Sequence, residues 1–238
     1  MKKLSMSLIL AGSLFAFSSI NTHASGTGDN PNFTPDKMSA EQVKAAAEKE
    51  AEINSKVNIM ADPDGVYKTI GVPSYKQEKN YWCGPATVKQ VVGFLKGSSS
   101  SQSTYASQLG TTTDGTEFSK VDDILNKNQS KNTYVYISIG SYSNWSNKIE
   151  YALSKNYPAV LDLKISPSYM PKYTSSVAGH ILNVSGVDST LRTSSSALVR
   201  LTDPFDQGGR GVTLGNVWHP HKGVYNANNA HFRQALLY

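Results

Sequence analysis

The only cysteine of the 238-residue chain lies in the segment Trp82-Cys83-Gly84-Pro85-Ala86-Thr87-Val88-Lys89-Gln90-Val91-Val92-Gly93-Phe94-Leu95. After Pro85 the apolar residues recur every three or four positions, a period that predicts an amphipathic helix. Pro85 suits the first turn of that helix, because its ring presets a helical φ and its missing N–H would have had no intrahelical partner. The pattern therefore predicts that Cys83 stands at a helix N-terminus.

Cys83 has two possible roles, a nucleophile or an inert core thiol. The unpaired N–H groups and the macrodipole of a helix N-terminus stabilise a thiolate, which is the attacking species. Free cysteines are often simply buried. The flanking residues and a histidine further along the chain favour the nucleophile.

Three ordered segments carry a resemblance to one enzyme family. They are residues 75–86, which include Trp-Cys-Gly-Pro, residues 179–188, which begin Gly-His-Ile-Leu, and residues 201–205, which contain Asp-Pro. Together they resemble the bacteriocin-processing (double-glycine leader) cysteine peptidases and, more closely, their stand-alone secreted relatives. The resemblance spans residues 66–218, and an ordered motif of three parts is far more specific than any one of them.

The resemblance implies both a fold and a set of roles. The family is papain-like, so we expect an α+β papain-like cysteine peptidase fold, with a nucleophile helix packed against an antiparallel sheet that carries the His and Asp. Carried over by position, the site residues are Cys83 as nucleophile, His180 as base, Asp203 as orienting residue and Gln77 as oxyanion donor. The implied reaction hydrolyses a peptide or protein substrate through a thioester and needs no cofactor.

The chemistry gives independent reasons for these residue types. A thiolate paired with a neighbouring imidazolium is a nucleophile at neutral pH, and the same imidazolium later protonates the leaving amine. An aspartate on the other ring nitrogen fixes the tautomer, and Asp203 follows His180 by 203 − 180 = 23 residues, enough for a strand, a turn and a returning strand. Gln77 precedes Cys83 by 83 − 77 = 6 residues, so its amide can join the Cys83 N–H in holding the oxyanion.

Other residues compete for the same roles. His180 lies in an apolar strand and has the alternative of being an ordinary core histidine, and Gln77 has that of a solvated loop residue. The alternative bases are His23 in the leader and His219, His221 and His231 near the C-terminus. Asp188 and Asp206 compete with Asp203, although each is more simply a turn residue.

A metal site is not predicted. His219 and His221 are spaced so that one strand face could hold both imidazoles, but no cysteine or acidic cluster accompanies them. Structural zinc sites are built from four ligands and catalytic sites from three, so two histidines alone fall short.

The N-terminus predicts export. Lys2-Lys3 precedes an apolar run over residues 8–17, and Thr22-His23-Ala24 follows as a cleavage site. We therefore expect residues 1–24 to be a signal peptide and the protein to be secreted and extracellular. The apolar run is too short for a stable membrane anchor, and no integral membrane segment is predicted after it.

Composition fits one globular domain. The chain is 39% hydrophobic and 17% charged, which is enough to bury a core. Its net charge of +5 and isoelectric point near 9.1 do not indicate nucleic acid, because the Lys and Arg residues are scattered and no recognition motif appears. Association with an anionic cell wall stays open.

The amino-acid composition changes between the predicted signal peptide and the segment that contains Cys83. Residues 25–36 are rich in Gly, Asn, Asp and Pro. A helix rich in Ala, Glu and Lys is predicted to begin after the N-cap Ser39 and to end at about Ile53. Since its apolar side is weak, we expect residues 25–60 to be a disordered and helical linker or a removable pro-segment. Residues 61–238 form the predicted peptidase domain, and a chain that starts near Val66 is expected to fold.

Helices are predicted over residues 103–109, 117–125 and 147–153, and strands over residues 133–139, 159–165, 180–187 and 197–203. Helices come first and mainly strands follow, an order that favours α+β over a doubly wound sheet. Residues 191–196 are predicted to be a hairpin loop between the His and Asp strands.

The function that the sequence predicts is that of a secreted cysteine peptidase. One alternative is a cell-wall amidase or peptidoglycan endopeptidase, although those enzymes more often show an Asp-Cys-Ser-Gly nucleophile segment. Another is a catalytically silent binding domain on the same fold. That alternative predicts the loss of at least one site residue, and all four are present.

Overall fold

The computed structural model describes residues 28–59, 65–190, 196–207 and 213–238. The predicted signal peptide lies outside these ranges. So do residues 62–64 of the turn that the sequence Asp62-Pro63-Asp64-Gly65 predicts and residues 191–195 of the predicted hairpin loop. Six α-helices occupy the described residues: α1 Ala40–Ile59, α2 Cys83–Lys96, α3 Gln102–Leu109, α4 Val121–Asn128, α5 Tyr142–Ser154 and α6 His221–Ala230. A 3-10 helix, Phe118–Lys120, leads into α4.

The described strands form one antiparallel sheet. They are β1 Tyr67–Thr69, β2 Tyr136–Ser138, β3 Ala159–Ile165, β4 Val177–Asp188, β5 Leu198–Asp203, β6 Gly215–Pro220 and β7 Ala235–Leu237. Their order is β2-β7-β3-β4-β5-β6, and β1 pairs with the far end of β4. The α+β papain-like fold that the sequence predicts is confirmed.

Helices cover both faces of the sheet. Val160 and Ile181 face α2, α3 and α4 in one hydrophobic cluster, whereas Leu161 and Leu182 face α5 and α6 in a larger one. Successive side chains of a strand point to opposite faces. Strands that are buried on both faces therefore read as continuous apolar runs instead of alternating ones.

Most predicted elements are present, with shifted ends. The strand predicted over residues 159–165 has those bounds, and the His and Asp strands are β4 and β5. The strand predicted over residues 133–139 is shorter, at Tyr136–Ser138. The sequence did not predict β1, β6, α6 or β7.

The helix α1 lies against the domain instead of standing in solvent. Ile53 is 6% exposed and belongs to the larger hydrophobic cluster. Lys49 is also buried, and its Nζ donates to Asn132 Oδ1 at 2.9 Å and to the carbonyl oxygens of Thr133 and Tyr238 at 2.8 and 2.6 Å. Burial lowers the pKa of Lys49 to about 7. A few well-placed side chains thus anchor α1, although its apolar side is weak.

We expect a chain that starts at Val66 to be less stable than one that retains α1. Losing a buried isoleucine alone costs about 2–5 kcal/mol, and the truncation also leaves Asn132 and the Tyr238 carbonyl without Lys49. Urea unfolding of the two chains, followed by circular dichroism, measures the difference. Equal midpoints would show that α1 does not support the domain. Removal of residues 25–60 in the mature protein stays a prediction.

None of the helices in the described part of the chain is both long enough and apolar enough to cross a membrane.

Candidate active site

The thiol of Cys83 stands at the first residue of α2. The N-cap residue Trp82 makes no side-chain hydrogen bond to the N-terminus of the helix, and no acidic residue lies in the first turn. The N–H groups of Cys83 and Gly84 therefore stay available beside the sulfur, as a helix N-terminus leaves them. Cys83 is 1% exposed and packs at the edge of the cluster between α2 and the sheet.

Gly84 is required beside the thiol. A Cβ at this position would lie 2.6 to 2.9 Å from the side-chain atoms of Thr116, closer than such atoms approach. Thr116 is itself held by Thr111, with 2.8 Å between the hydroxyl oxygens. The absence of a side chain at residue 84 thus lets the loop around Thr116 close against the start of α2.

Polar contacts fix α2 on the strand that carries His180. Thr87 Oγ1 donates to the carbonyl oxygen of Ile181 at 3.0 Å. Asn183 Nδ2 donates to Gln90 Oε1 at 2.8 Å. These contacts start one turn after Cys83 and one residue after His180, so they set the height of the thiol relative to the imidazole.

His180 and Asp203 are brought together by neighbouring strands. His180 lies in β4 and Asp203 ends β5, and His180 Nε2 is 2.7 Å from Asp203 Oδ1. Both side chains are fully buried. Nδ1 of His180 has no hydrogen bond of ordinary geometry to the described residues, which leaves this nitrogen for the neighbouring Cys83 thiol.

The surroundings favour a protonated His180. Burial by itself lowers the pKa of the imidazole, but the charge and hydrogen bond of Asp203, followed by the neighbouring Cys83 thiol, outweigh burial and raise the pKa to about 10. A buried carboxylate at 2.7 Å is the strongest of these favourable partners. The site thus holds an imidazolium at neutral pH.

Asp203 has two further partners that sequence reasoning missed. The hydroxyl of Tyr173 donates to Oδ2, and the N–H of Phe205 donates to Oδ1 at 2.7 Å. The Phe205 ring also lies edge-on to the His180 ring, with 5.8 Å between centroids. Tyr173 therefore fixes the carboxylate that in turn fixes His180. No sequence signal marks Tyr173, which lies 30 residues before Asp203 in a segment without regular structure.

Gln77 lies beside the end of the Asp203 strand. Its backbone N–H donates to the carbonyl oxygen of Pro204 at 2.9 Å, and its side chain is buried. The amide Nε2 donates to the carbonyl oxygen of Lys79 at 2.9 Å. An amide nitrogen carries two hydrogens, so one donor remains for another acceptor.

The competing histidines have other surroundings. His219 is buried, its ring tilts over Tyr173 at 5.7 Å, and neither nitrogen has a hydrogen-bond partner within the described ranges. His221 begins α6, with Nδ1 2.8 Å from the Tyr142 hydroxyl and Nε2 3.4 Å from Ser146 Oγ. Burial lowers the pKa of both rings to about 4. The two imidazoles contact different side chains.

The competing carboxylates have other partners. Asp188 accepts from the N–H and hydroxyl of Thr190 at 3.2 and 2.6 Å, the arrangement of a turn residue. Asp206 pairs with Lys76 at 2.8 Å. Asp203 is the candidate that lies against an imidazole.

A comparison with sequence models of known families gave a match. Residues 69–229 match the sequence model of a family described as Peptidase_C39 like. The matched range includes Cys83, Gln77, His180 and Asp203. Neither a search of the curated proteins nor a search of the solved structures gave a match.

Proposed function

The chain belongs to the Peptidase_C39-like family of cysteine peptidases, and from this premise we propose that it is a secreted enzyme that hydrolyses peptide bonds with Cys83, His180 and Asp203. The observation that carries the proposal is a thiol at a helix N-terminus beside an imidazole whose other nitrogen lies 2.7 Å from a buried carboxylate. Secretion rests on the predicted signal peptide.

In the first half of the proposed reaction, the Cys83 thiolate attacks the carbonyl carbon of the scissile peptide bond. The carbonyl electron pair moves to the oxygen and forms a tetrahedral oxyanion. As the C–N bond breaks, His180 gives the proton on Nδ1 to the leaving amine. The products of this half are a free amine and a thioester on Cys83.

In the second half, water attacks the thioester carbonyl. His180, now neutral, takes a proton from that water through Nδ1, while Nε2 stays on Asp203. Collapse of the second oxyanion breaks the C–S bond and releases the carboxylic acid. Asp203, itself held by Tyr173 and Phe205, keeps the ring in one orientation throughout.

Because the site residues are buried, the electrostatic attraction between them is weakly screened. Cys83 is 1% exposed and His180 and Asp203 are fully buried. Charge interactions are stronger in such surroundings than in water.

The experiment that tests the proposal incubates the secreted protein with a library of peptides and, separately, with purified peptidoglycan. We expect new peptide termini that appear with the wild-type chain and not with Cys83→Ala. Cleavage confined to peptidoglycan would instead support the cell-wall amidase or endopeptidase. Binding of peptides without cleavage by either chain would support a silent binding domain.

We expect Gln77→Ala to slow hydrolysis by about 10²–10³ and to leave the chain folded. The loss is that of one oxyanion donor of two, since the Cys83 N–H survives. The measurement is kcat/KM together with the midpoint of urea unfolding. Glu78→Ala is the matched control, because the adjacent side chain is exposed. A Gln77→Ala chain with full activity would assign the oxyanion to other donors.

The charge of His180 predicts a pH dependence of stability. The folded pKa, about 10, lies above the ordinary value of 6.5, so the imidazolium adds stability that is complete below about pH 6.5 and is lost as the pH rises through about 10. The free energy of unfolding of wild type minus that of His180→Gln should therefore shrink over this window. Urea titrations at several pH values measure it, and a constant difference would contradict the assignment.

A further inference from the structure

Three side chains from distant parts of the sequence meet beside β3. His231 Nε2 lies 3.7 Å from Asp29 Oδ2 and 3.6 Å from Asp162 Oδ2. One candidate ligand atom from each residue lies within 4.8 Å of the other two. Asp162 pairs in register with Ile181, the residue after His180, so the cluster lies close to the candidate active site.

The Asp162 side chain is fully buried, and neither of its oxygens accepts a hydrogen bond of ordinary geometry from any described residue. The backbone N–H of His180 helps only weakly, since burial and Asp29 raise the pKa of the carboxyl by more than this N–H lowers it. The side chains of Asp29 and His231 are 2% and 4% exposed. A buried carboxylate without hydrogen-bond donors or a cation is strongly destabilising, so either a proton or a bound cation has to neutralise Asp162.

Arg233 pairs with two of the nearby carboxylates but not with Asp162. Its Nη2 pairs with Glu117 at 2.7 Å, while its Nε is 3.7 Å from Asp29 Oδ1. Among the described residues, no lysine or arginine forms an ion pair with Asp162.

We propose that Asp29, Asp162 and His231 bind a divalent transition-metal cation of the Zn²⁺ type. Two carboxylate oxygens and an imidazole nitrogen suit such an ion, whereas Ca²⁺ is held by oxygen ligands. Ligands about 2.0–2.2 Å from Zn²⁺ lie about 3.4 Å apart in tetrahedral geometry, close to the 3.6 and 3.7 Å found here. The two positive charges of the ion balance the two negative charges of the carboxylates.

Binding has one local cost, at the other nitrogen of His231. Nδ1 lies 3.4 Å from the backbone N–H of Arg233, a long hydrogen bond in which Nδ1 accepts. A histidine that binds a metal through Nε2 carries its proton on Nδ1. Binding of the ion at Nε2 therefore breaks the long hydrogen bond from the Arg233 N–H to Nδ1.

The ion would fasten the N-terminal segment to the sheet. Asp29 Oδ1 accepts from the N–H of Phe118 at 2.7 Å. Arg233 donates to the carbonyl oxygens of Asn30 and Phe33, each at 3.0 Å. These bonds hold the segment from one side, and a metal shared by Asp29 and Asp162 holds it from the other. The proposed role is structural and does not depend on the proposed hydrolysis.

The test uses the full chain without an affinity tag and with Cys83→Ala, so that the thiol cannot bind the probe. ZnCl2 is titrated calorimetrically after EDTA treatment, and thermal unfolding is recorded with ZnCl2 and with EDTA. We expect one equivalent of Zn²⁺ to bind and to raise the midpoint by several degrees, because an ion that binds the native state stabilises it. Addition of CoCl2 should give the visible absorption of a site without thiolate.

Asp162→Asn and His231→Gln should each abolish Zn²⁺ binding and the Co²⁺ absorption. Asp188→Asn and His221→Gln are the matched controls and should retain both. Binding that survives in Asp162→Asn and His231→Gln would place the metal elsewhere and overturn the proposal. If a variant does not fold, titration of the Cys83→Ala parent still decides, because no Zn²⁺ binding there overturns the proposal.

A shared proton is the competing explanation. Burial, then the Asp29 carboxylate and after it Cys83, raise the pKa of Asp162. A protonated carboxyl resembles an amide. If Asp162 shares a proton, Asp162→Asn should therefore have the same midpoint of thermal unfolding as the Cys83→Ala parent. Neither ZnCl2 nor EDTA should then change the midpoint of that parent. This result would overturn the metal proposal.

Discussion

Cys83→Ala will leave a folded chain that releases no new peptide termini. Removal of a nucleophile that acts together with its base lowers kcat by about 10⁶ in a serine peptidase studied in this way, and we expect a loss of that order. Stability should change little, because alanine occupies most of the space of the buried thiol. Peptide hydrolysis and urea unfolding of the same two preparations measure both quantities.

His180→Gln should have an equally large effect, and His221→Gln is its matched control. Both histidines are buried, but His221 contacts Tyr142 and Ser146 instead of the thiol. Turnover that survives in His180→Gln would reject the proposed base.

Independently, iodoacetamide at neutral pH should label Cys83 in the native protein. A thiol that reacts only after denaturation is an inert core residue.

Asp203→Asn should lower kcat by about 10⁴, the loss seen when the aspartate of a serine peptidase triad is replaced in the same way. The amide can still contact Tyr173, but it no longer stabilises the imidazolium of His180. The fold should persist, since the shape of the side chain is unchanged. Single-turnover kinetics at saturating peptide measure the effect on the chemical step.

Asp206→Asn is the matched control for Asp203→Asn. Asp206 lies three residues further on and pairs with the exposed Lys76, so its replacement should leave kcat unchanged. An Asp203→Ala chain with full activity would move the orienting role to Asn183, Asp188 or Asp206. Asn183 already donates to Gln90, which makes it a poor substitute.

Strong local patterns carried most of the fold. The helix after Cys83 was predictable because Pro85 and a regular apolar spacing agree, and β3 because an apolar run has the length of a buried strand. Three-residue strands such as β1 and β7 are too short to show a period. The helix α6 is rich in Asn and contains Gly223, so its propensity is low, and it forms because Val224 and Ala227 are buried on the sheet.

The site was predictable only as far as one family motif reaches. Cys83, His180 and Asp203 each stand in a recognisable segment, so the sequence could bring them together before any geometry was known. Tyr173 has no such segment, and its contact with Asp203 exists only in the folded chain. Asp29, Asp162 and His231 are separated by 133 and 69 residues (162 − 29 and 231 − 162). No spacing rule links residues so far apart.

The position of β7 sets the order in which the chain can fold. Residues 235–237 are inserted between β2 and β3, and they pair with both. During synthesis the sheet therefore lacks an internal strand until residue 237 has left the ribosome, even though the residues of the other six described strands are already present. Pairing across such sequence distances is slow, so the sheet is completed late in folding.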